Sequence, residues 1–282
     1  MGKEESLTET EERIIEAIAT FRFLTPKQMT RVGVTKNKRH LYNTLAGLRK
    51  PARKLVWMFD YGTAIGLGRL PTVYVLTPFG AALLANEIRR DGEIIPVHKK
   101  KPRKVNSQYL HRLYCVDFHI AFWLWAREAG AAIDFFHAYY DPWVREGGSG
   151  SRVPQTHMRL KNGQTFIPDA VLSFTMPDGV QRVCLFEMWR GRPTYVSTER
   201  NLMITKAIEE RIIERTFKYD HEPRILSVFD NARGMELVQE RLAGMAAFTP
   251  FSPLFFDKTC EEVEATFVEG WHQLNEIKVP LF

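Results

Sequence analysis

Asp169 and Glu187 are the two residues whose types and spacing point most directly to chemistry. They flank Pro177-Asp178-Gly179, a turn sequence in which Gly can take the left-handed position. With a three-residue loop, paired residues sum to 356, and Asp169 and Glu187 meet that sum. The spacing therefore predicts two acids directly opposite each other on adjacent strands, among apolar neighbours (Ile167, Ala170, Val171; Leu185, Phe186, Met188). Like charges facing each other there are destabilising unless something neutralises them. A divalent cation that favours oxygen ligands, Mg²⁺ or Mn²⁺, would do so, and could activate water and stabilise charge on a phosphodiester. A register slip of one residue would instead send the two side chains to opposite faces.

The elements that must position this pair follow an α/β order. A long helix from Tyr109 to about Gly130, apolar almost all round, opens a core. Strands are expected at Ala132–Tyr140, Phe166–Met176 and Val180–Met188. A helix from about Ser197 to Thr216 carries Lys206, and Arg190 directly follows the Glu187 strand. A strand at Arg224–Phe229, a helix from about Gly234 to Ala246, a short strand near Leu254–Phe256 and a last helix to about Asn275 complete the pattern. The loop Gly147-Gly148-Ser149-Gly150 precedes no helix and lacks the Lys-Ser/Thr ending of a phosphate-binding loop. No nucleophile elbow, dinucleotide glycine fingerprint or HExxH is present.

The N-terminal third has a different character. Arg22 to Lys54 holds ten basic residues and no Asp or Glu. A folded segment tolerates such one-signed charge most easily against an external polyanion. Thr25-Pro26 starts a helix that runs to about Val32, and Gly33 breaks it. A second helix from about Thr35 to Arg49 puts Leu41, Leu45 and Leu48 on one face and Lys36, Arg39, Asn43 and Lys50 opposite, with Lys38 beside them. Asn and Arg can pair with base edges, and Lys can neutralise phosphate. Thr8 and Glu11 form a capping box for an earlier helix. Two strands, Leu55–Tyr61 and Thr72–Leu76, read as a hairpin whose long tip carries Arg69, and Thr77-Pro78 starts a closing helix to about Arg90. This is a winged helix-turn-helix pattern, with Arg69 as a wing contact.

The fold class expected is thus α/β (α+β overall), in three parts. Residues 1–90 form the winged-helix domain, 91–108 a basic linker with Lys99-Lys100-Lys101-Pro102-Arg103-Lys104, and 109–282 the α/β domain. Charge divides the same way: residues 1–104 carry net +10 and residues 105–282 net −4. No apolar run reaches the roughly 18 residues of a membrane span. Cys115, Cys184 and Cys260 are scattered, with no CxxC, and the charged N-terminus has no apolar signal region; both fit a cytoplasmic protein.

Pro168-Asp169 followed by Glu187 on the next strand resembles the PD-(D/E)xK nuclease core, the fold of many restriction endonucleases. The wider arrangement resembles the replication-relaxation family of plasmid proteins and the related MobC-type mobilisation relaxases. It comprises the winged helix, the apolar helix opened by His111-Arg112, the Pro-Asp-Ala-Val strand at 168–171 and Glu187-x-x-Arg190-Gly191. The resemblance covers most of residues 10–230. It implies a metal-dependent endonuclease that recognises and nicks an origin in double-stranded DNA, with Asp169 and Glu187 holding the metal. Other mobilisation or replication proteins and a second copy of the chain are further candidate partners. The family patterns put Lys, or an acid, two residues after Glu187, where this chain has Trp189. Lys206 would then stand in as a migrated lysine, and Arg190 would give electrostatic help. The alternative is a non-catalytic DNA-binding accessory protein or transcriptional regulator with a degenerate nuclease fold.

Overall fold

A computed structural model describes residues 7–89, 95, 97, 108–141, 144–145, 152–219, 221–274 and 278–282. The run Lys99–Lys104 and the loop Gly147–Gly150 lie outside the described residues. The chain divides into two compact units, Met1–Val116 and Asp117–Phe282.

In the first unit, α1 (Glu9–Phe21) begins with the expected capping box: Thr8 Oγ1 accepts the Glu11 N–H, and Glu11 accepts the Thr8 N–H. The helix α2 (Pro26–Arg31) has the same device in Thr25 and Gln28, and ends before Gly33, whose φ of +84° no β-branched residue would tolerate. The helix α3 (Lys38–Leu48) starts three residues later than the composition suggested, because Asn37 Oδ1 accepts the His40 N–H at 3.0 Å and caps it there. Ile14, Ile15, Ile18, Met29, Leu41, Leu45 and Leu48 are buried, each helix contributing its apolar face.

The hairpin that follows has two storeys. Its base pairs β1 (Val56–Phe59) with a return strand, and its outer end is a ribbon of β2 (Thr63–Ala64) and β3 (Gly68–Arg69). The return strand is β4 (Val73–Leu76), antiparallel to β1 in the register Val56↔Leu76. Thr77 then caps α4 (Pro78–Leu83), accepting the Gly80 N–H at 3.0 Å and donating to the Lys54 carbonyl at 2.6 Å. The continuation, Leu84–Arg89, is a π-helix rather than the α-helix expected to about Arg90.

The helix α5 (Tyr109–Ala129) contains the division between the units. The second unit is built on a mixed five-stranded sheet, as the α/β order predicted. After β5 (Ala132–Ala138) come two small ribbons, β6 (Val144–Arg145) with β7 (Arg152–Val153) and β8 (Met158–Arg159) with β9 (Thr165–Phe166). Then follow β10 (Ala170–Thr175), β11 (Gln181–Trp189), α6 (Thr194–Glu209), α7 (Ile212–Phe217), β12 (Arg224–Phe229), α8 (Ala232–Ala243), β13 (Phe255–Thr259) and α9 (Cys260–Ala265). The strand order is β13-β12-β11-β10-β5, antiparallel from β5 to β11 and parallel from β11 to β13.

One sheet face packs Val171, Leu185, Ile225 and Phe255 against Ile204 and Ala207 of α6 and Met235 and Val238 of α8. On the other, Phe186 stacks on Phe118 at 3.8 Å and Phe174 meets Phe122 at 5.5 Å.

Three expected elements are broken. The strand expected at Phe166–Met176 divides because Phe166 pairs with Met158 while Pro168, which has no N–H, sits where a central ladder needs a donor. The helix expected to Thr216 stops at Glu209, since Arg211 is left-handed at φ 53°. The last helix ends at Ala265, after which Trp271 and His272 join β-bridges. Among the described residues no helix is long and apolar enough to cross a membrane.

Candidate functional site

The β10–β11 ladder pairs Ala170 with Phe186 and Thr175 with Gln181, so every pair has the predicted sum. Met176 N–H bonds the Val180 carbonyl at 3.0 Å across the three-residue turn, and Gly179 takes φ +83°. Asp169, one residue before β10, therefore lies level with Glu187. Asp169 Oδ2 accepts the Met188 N–H at 2.8 Å, which ties its loop to β11.

Glu187 is only 3 % exposed, and α6 supplies its partner. Arg200 Nε donates to Glu187 Oε1 at 2.9 Å, the same guanidinium donates to the Ile167 carbonyl, and its carbon lies 5.1 Å from the centre of the Phe166 ring. Burial pushes the Glu187 carboxyl up to about 8; the Asp169 charge adds to this, while Arg200 and Arg192 pull it back. Arg200 was not singled out by the sequence. Its signal was a basic residue on the helix after the Glu187 strand, but Lys206 carries the same signal. In the structure Lys206 is exposed, six residues beyond Arg200 and roughly 240° further round α6. Arg190 is half-buried, just past the end of β11.

Trp189 belongs to the core. It is 4 % exposed, packs with the α6 and α8 side chains, and lies 6.4 Å from Phe229. Between this aromatic row and the apolar row of Leu185 runs a polar one, because Glu187 pairs with Ser227 and Ser227 with Asp257. Asp257 is buried and its carboxyl rises to about 7; the Gln239 amide, donating at 2.8 Å, offsets part of that rise. Asp257 was also missed, its only signal being one acid in the apolar run Phe255-Phe256-Asp257.

The implied metal can be tested against these contacts. One Glu187 oxygen already bonds a guanidinium, and burial favours the carboxyl that keeps its proton, whereas a metal ligand must be deprotonated. Arg200 occupies the Glu187 oxygen that a divalent ion would need, and such an ion would have to displace it. With Arg200 on Glu187, the pair as arranged does not offer Mg²⁺ or Mn²⁺ two open carboxylates.

In the first unit, α3 exposes Lys38, Arg39, His40, Tyr42, Asn43 and Ala46 along one side, with Arg49 and Lys50 just beyond its end. Lys36 is exposed too, but precedes the Asn37 cap and is not on the helix. Among the described residues, none of Lys36, Lys38, Arg39 and Lys50 has a carboxylate partner. Arg69 does: it pairs with Asp60 at 3.0 Å. Tyr42, 54 % exposed amid the basic stripe, was overlooked although its spacing from Arg39 places it there.

A model described as replication-relaxation matches residues 15–202, two thirds of the chain. The chain belongs to the replication-relaxation family. The family match runs from α1 into α6, so it takes in the stripe on α3, Asp169, Glu187 and Arg200, and stops short of Lys206 and Asp257. Membership of the replication-relaxation family ties the chain to plasmid or mobile-element replication or mobilisation. No curated protein and no solved structure matches it.

Proposed function

We propose that this protein binds double-stranded DNA through a winged helix-turn-helix and serves plasmid replication or mobilisation as a non-catalytic accessory protein. Its second domain is read as a PD-(D/E)xK-like scaffold in which Arg200 has taken the place of the metal. The Arg200–Glu187 contact carries this reading: the guanidinium takes the carboxyl oxygen that a metal would need, and Trp189, at the position of the nuclease lysine, can neither bind metal nor relay a proton. In the first domain α3 is the recognition helix, with Arg39 and Asn43 at base edges, Lys36, Lys38 and Lys50 on phosphates, and the Arg69 wing alongside.

The origin-nicking endonuclease is the second reading. Asp169 level with Glu187 favours it, since that is where such a centre holds its acids. Supercoiled plasmid carrying the DNA that flanks this gene separates the two. Wild type with Mg²⁺ or Mn²⁺ should leave it supercoiled while binding it. Open circles that need the metal and disappear with Glu187→Gln would establish the nuclease instead.

Arg39→Ala should weaken binding to that DNA by about 1–3 kcal/mol, or roughly 5–150-fold, if Arg39 reads a base. Fluorescence anisotropy on labelled fragments measures this, and an unchanged affinity would remove α3 from the interface.

A further inference from the structure

Two large aliphatic side chains stand in water at the end of the β2–β3 ribbon. Ile65 is fully exposed, at 105 %, and Leu67 is 55 % exposed. The ribbon that carries them is braced. The Leu67 N–H closes the turn onto the Ala64 carbonyl at 3.1 Å, and Leu70 N–H reaches the Gly62 carbonyl at 2.8 Å. At the foot, Asp60 accepts the Gly62 N–H at 2.8 Å and the Arg69 guanidinium at 3.0 Å. Gly66 and Gly68 supply the positive φ values the bend requires, and a Cβ at either would meet nothing within 4 Å. The tip therefore stands clear of the rest of its unit.

A paired aliphatic tip on a hydrogen-bonded ribbon suits a partner with an apolar slot. The charge of the sequence that carries it restricts what that partner is. Residues 1–104 carry net +10, and Arg22 to Lys54 contains no acid, so the complementary surface is a polyanion. A wing that only followed phosphates would carry Lys or Arg at its head, but residues 64–68 are Ala-Ile-Gly-Leu-Gly, and Arg69 at the foot is tied to Asp60. A DNA duplex offers both features: phosphates outside, and stacked bases that an aliphatic side chain can part.

We propose that Ile65 and Leu67 form a wedge that enters the minor groove and unstacks a base step. This rests on the DNA-binding reading above and adds to it a deformation of the DNA. TA steps, which unstack most easily, are its preferred point of entry. In an origin-processing context the wedge would loosen the duplex without any cutting chemistry.

The test uses the full chain and short duplexes tiling the DNA that flanks this gene, in which the adenines of TA steps are replaced by 2-aminopurine, whose fluorescence rises when it unstacks. EDTA in the buffer prevents metal-dependent cutting. Wild type is expected to bind and raise the fluorescence. Ile65→Ser/Leu67→Ser, which alters only solvated side chains, should bind within about tenfold of wild type, since phosphate contacts supply most of the affinity, and give no rise. Arg39→Ala should bind more weakly yet give the full rise at saturation. Equal rises in wild type and the double variant, or tight binding by wild type with no rise, would overturn the wedge. Failure of wild type to bind any of the duplexes would overturn the DNA-binding reading itself. Binding to anionic lipid vesicles that the double variant loses, with no signal on DNA, would assign the tip to a membrane surface instead.

Discussion

Gly80→Ala should destabilise the N-terminal unit by at least about 3 kcal/mol, a large share of the roughly 5–15 kcal/mol that holds a domain folded. A Cβ at Gly80 would stand 2.2 Å from the Leu55 carbonyl oxygen and 3.2 Å from the Leu55 Cα. Both are backbone atoms, so no rotamer change relieves the overlap, and α4 would have to lift off the start of β1. The same movement would disturb Thr77, whose hydroxyl bonds the Lys54 carbonyl and caps α4. Gly47→Ala is the matched control. Gly47 sits inside α3, its added Cβ would meet nothing within 4 Å, and its φ is not positive. That substitution should stabilise α3 by about 0.5–1 kcal/mol. Urea melts followed by circular dichroism compare the two, and a Gly80→Ala protein as stable as wild type would mean that α4 packs elsewhere.

The second large effect concerns pH. The Glu187 carboxyl rises from 4.5 to about 8 and that of Asp257 from 3.8 to about 7, both chiefly through burial. The folded chain therefore holds two protons that the unfolded chain releases above pH 5. Their contribution is fully present below the unfolded values and is lost as pH rises through 7 and 8, on the order of 2–4 kcal/mol for each group. Among the described residues the other shifted groups act outside this window, the lowered Glu groups below it and the Tyr, Cys, Lys and Arg groups above it. Glu262, lowered to about 2 with Lys278 and Thr259 holding its charge despite partial burial, acts below pH 4.5, and Lys258, lowered to about 8 mainly by burial, acts above pH 8. Thermal stability should thus decline from pH 5 to pH 8. Glu187→Gln removes one of the two protons from the balance. It should raise Tm at pH 8 by roughly 4–8 °C, corresponding to about 2 kcal/mol, and leave it nearly unchanged at pH 5. A lower Tm at pH 8 would show that Glu187 is ionised and held by Arg200 as a stabilising ion pair.

The parts of the site that a turn sets were legible in the sequence, and the parts that a crossover sets were not. Pro177-Asp178-Gly179 fixes loop length, and loop length fixes the register that brings Asp169 level with Glu187. The position of Arg200 depends on where α6 begins. The sequence suggested Ser197, whereas Thr194 is the first helical residue, and a three-residue shift moves every side chain about 4.5 Å along the axis and about 60° around it. Ser227 and Asp257 join Glu187 only through the parallel registers of β12 and β13, set by packing of α6 and α8 rather than by any local signal. In the first unit the leucine face of α3 was plain from its period. Lys36 was misplaced because Asn37 competes for the cap. The ribbon tip gives no charge signal, because its one charged residue, Arg69, sits at the foot while Ile65 and Leu67 at the head are aliphatic.

The mixed sheet also has a consequence during synthesis. β5, β10 and β11 are antiparallel neighbours complete by residue 189, but β12 does not begin until Arg224. Until that crossover closes, β11 is an unpaired edge, Val183-Cys184-Leu185-Phe186-Glu187-Met188-Trp189, apolar on both faces but for one residue. Such an edge invites pairing with another nascent chain, and an inward charge is the usual guard against it. In the half-made sheet Glu187 is still in water, with an ordinary carboxylate charge. The acid that is burdensome in the finished core is, for the time it takes to make the next 35 or so residues, the gatekeeper of the growing chain.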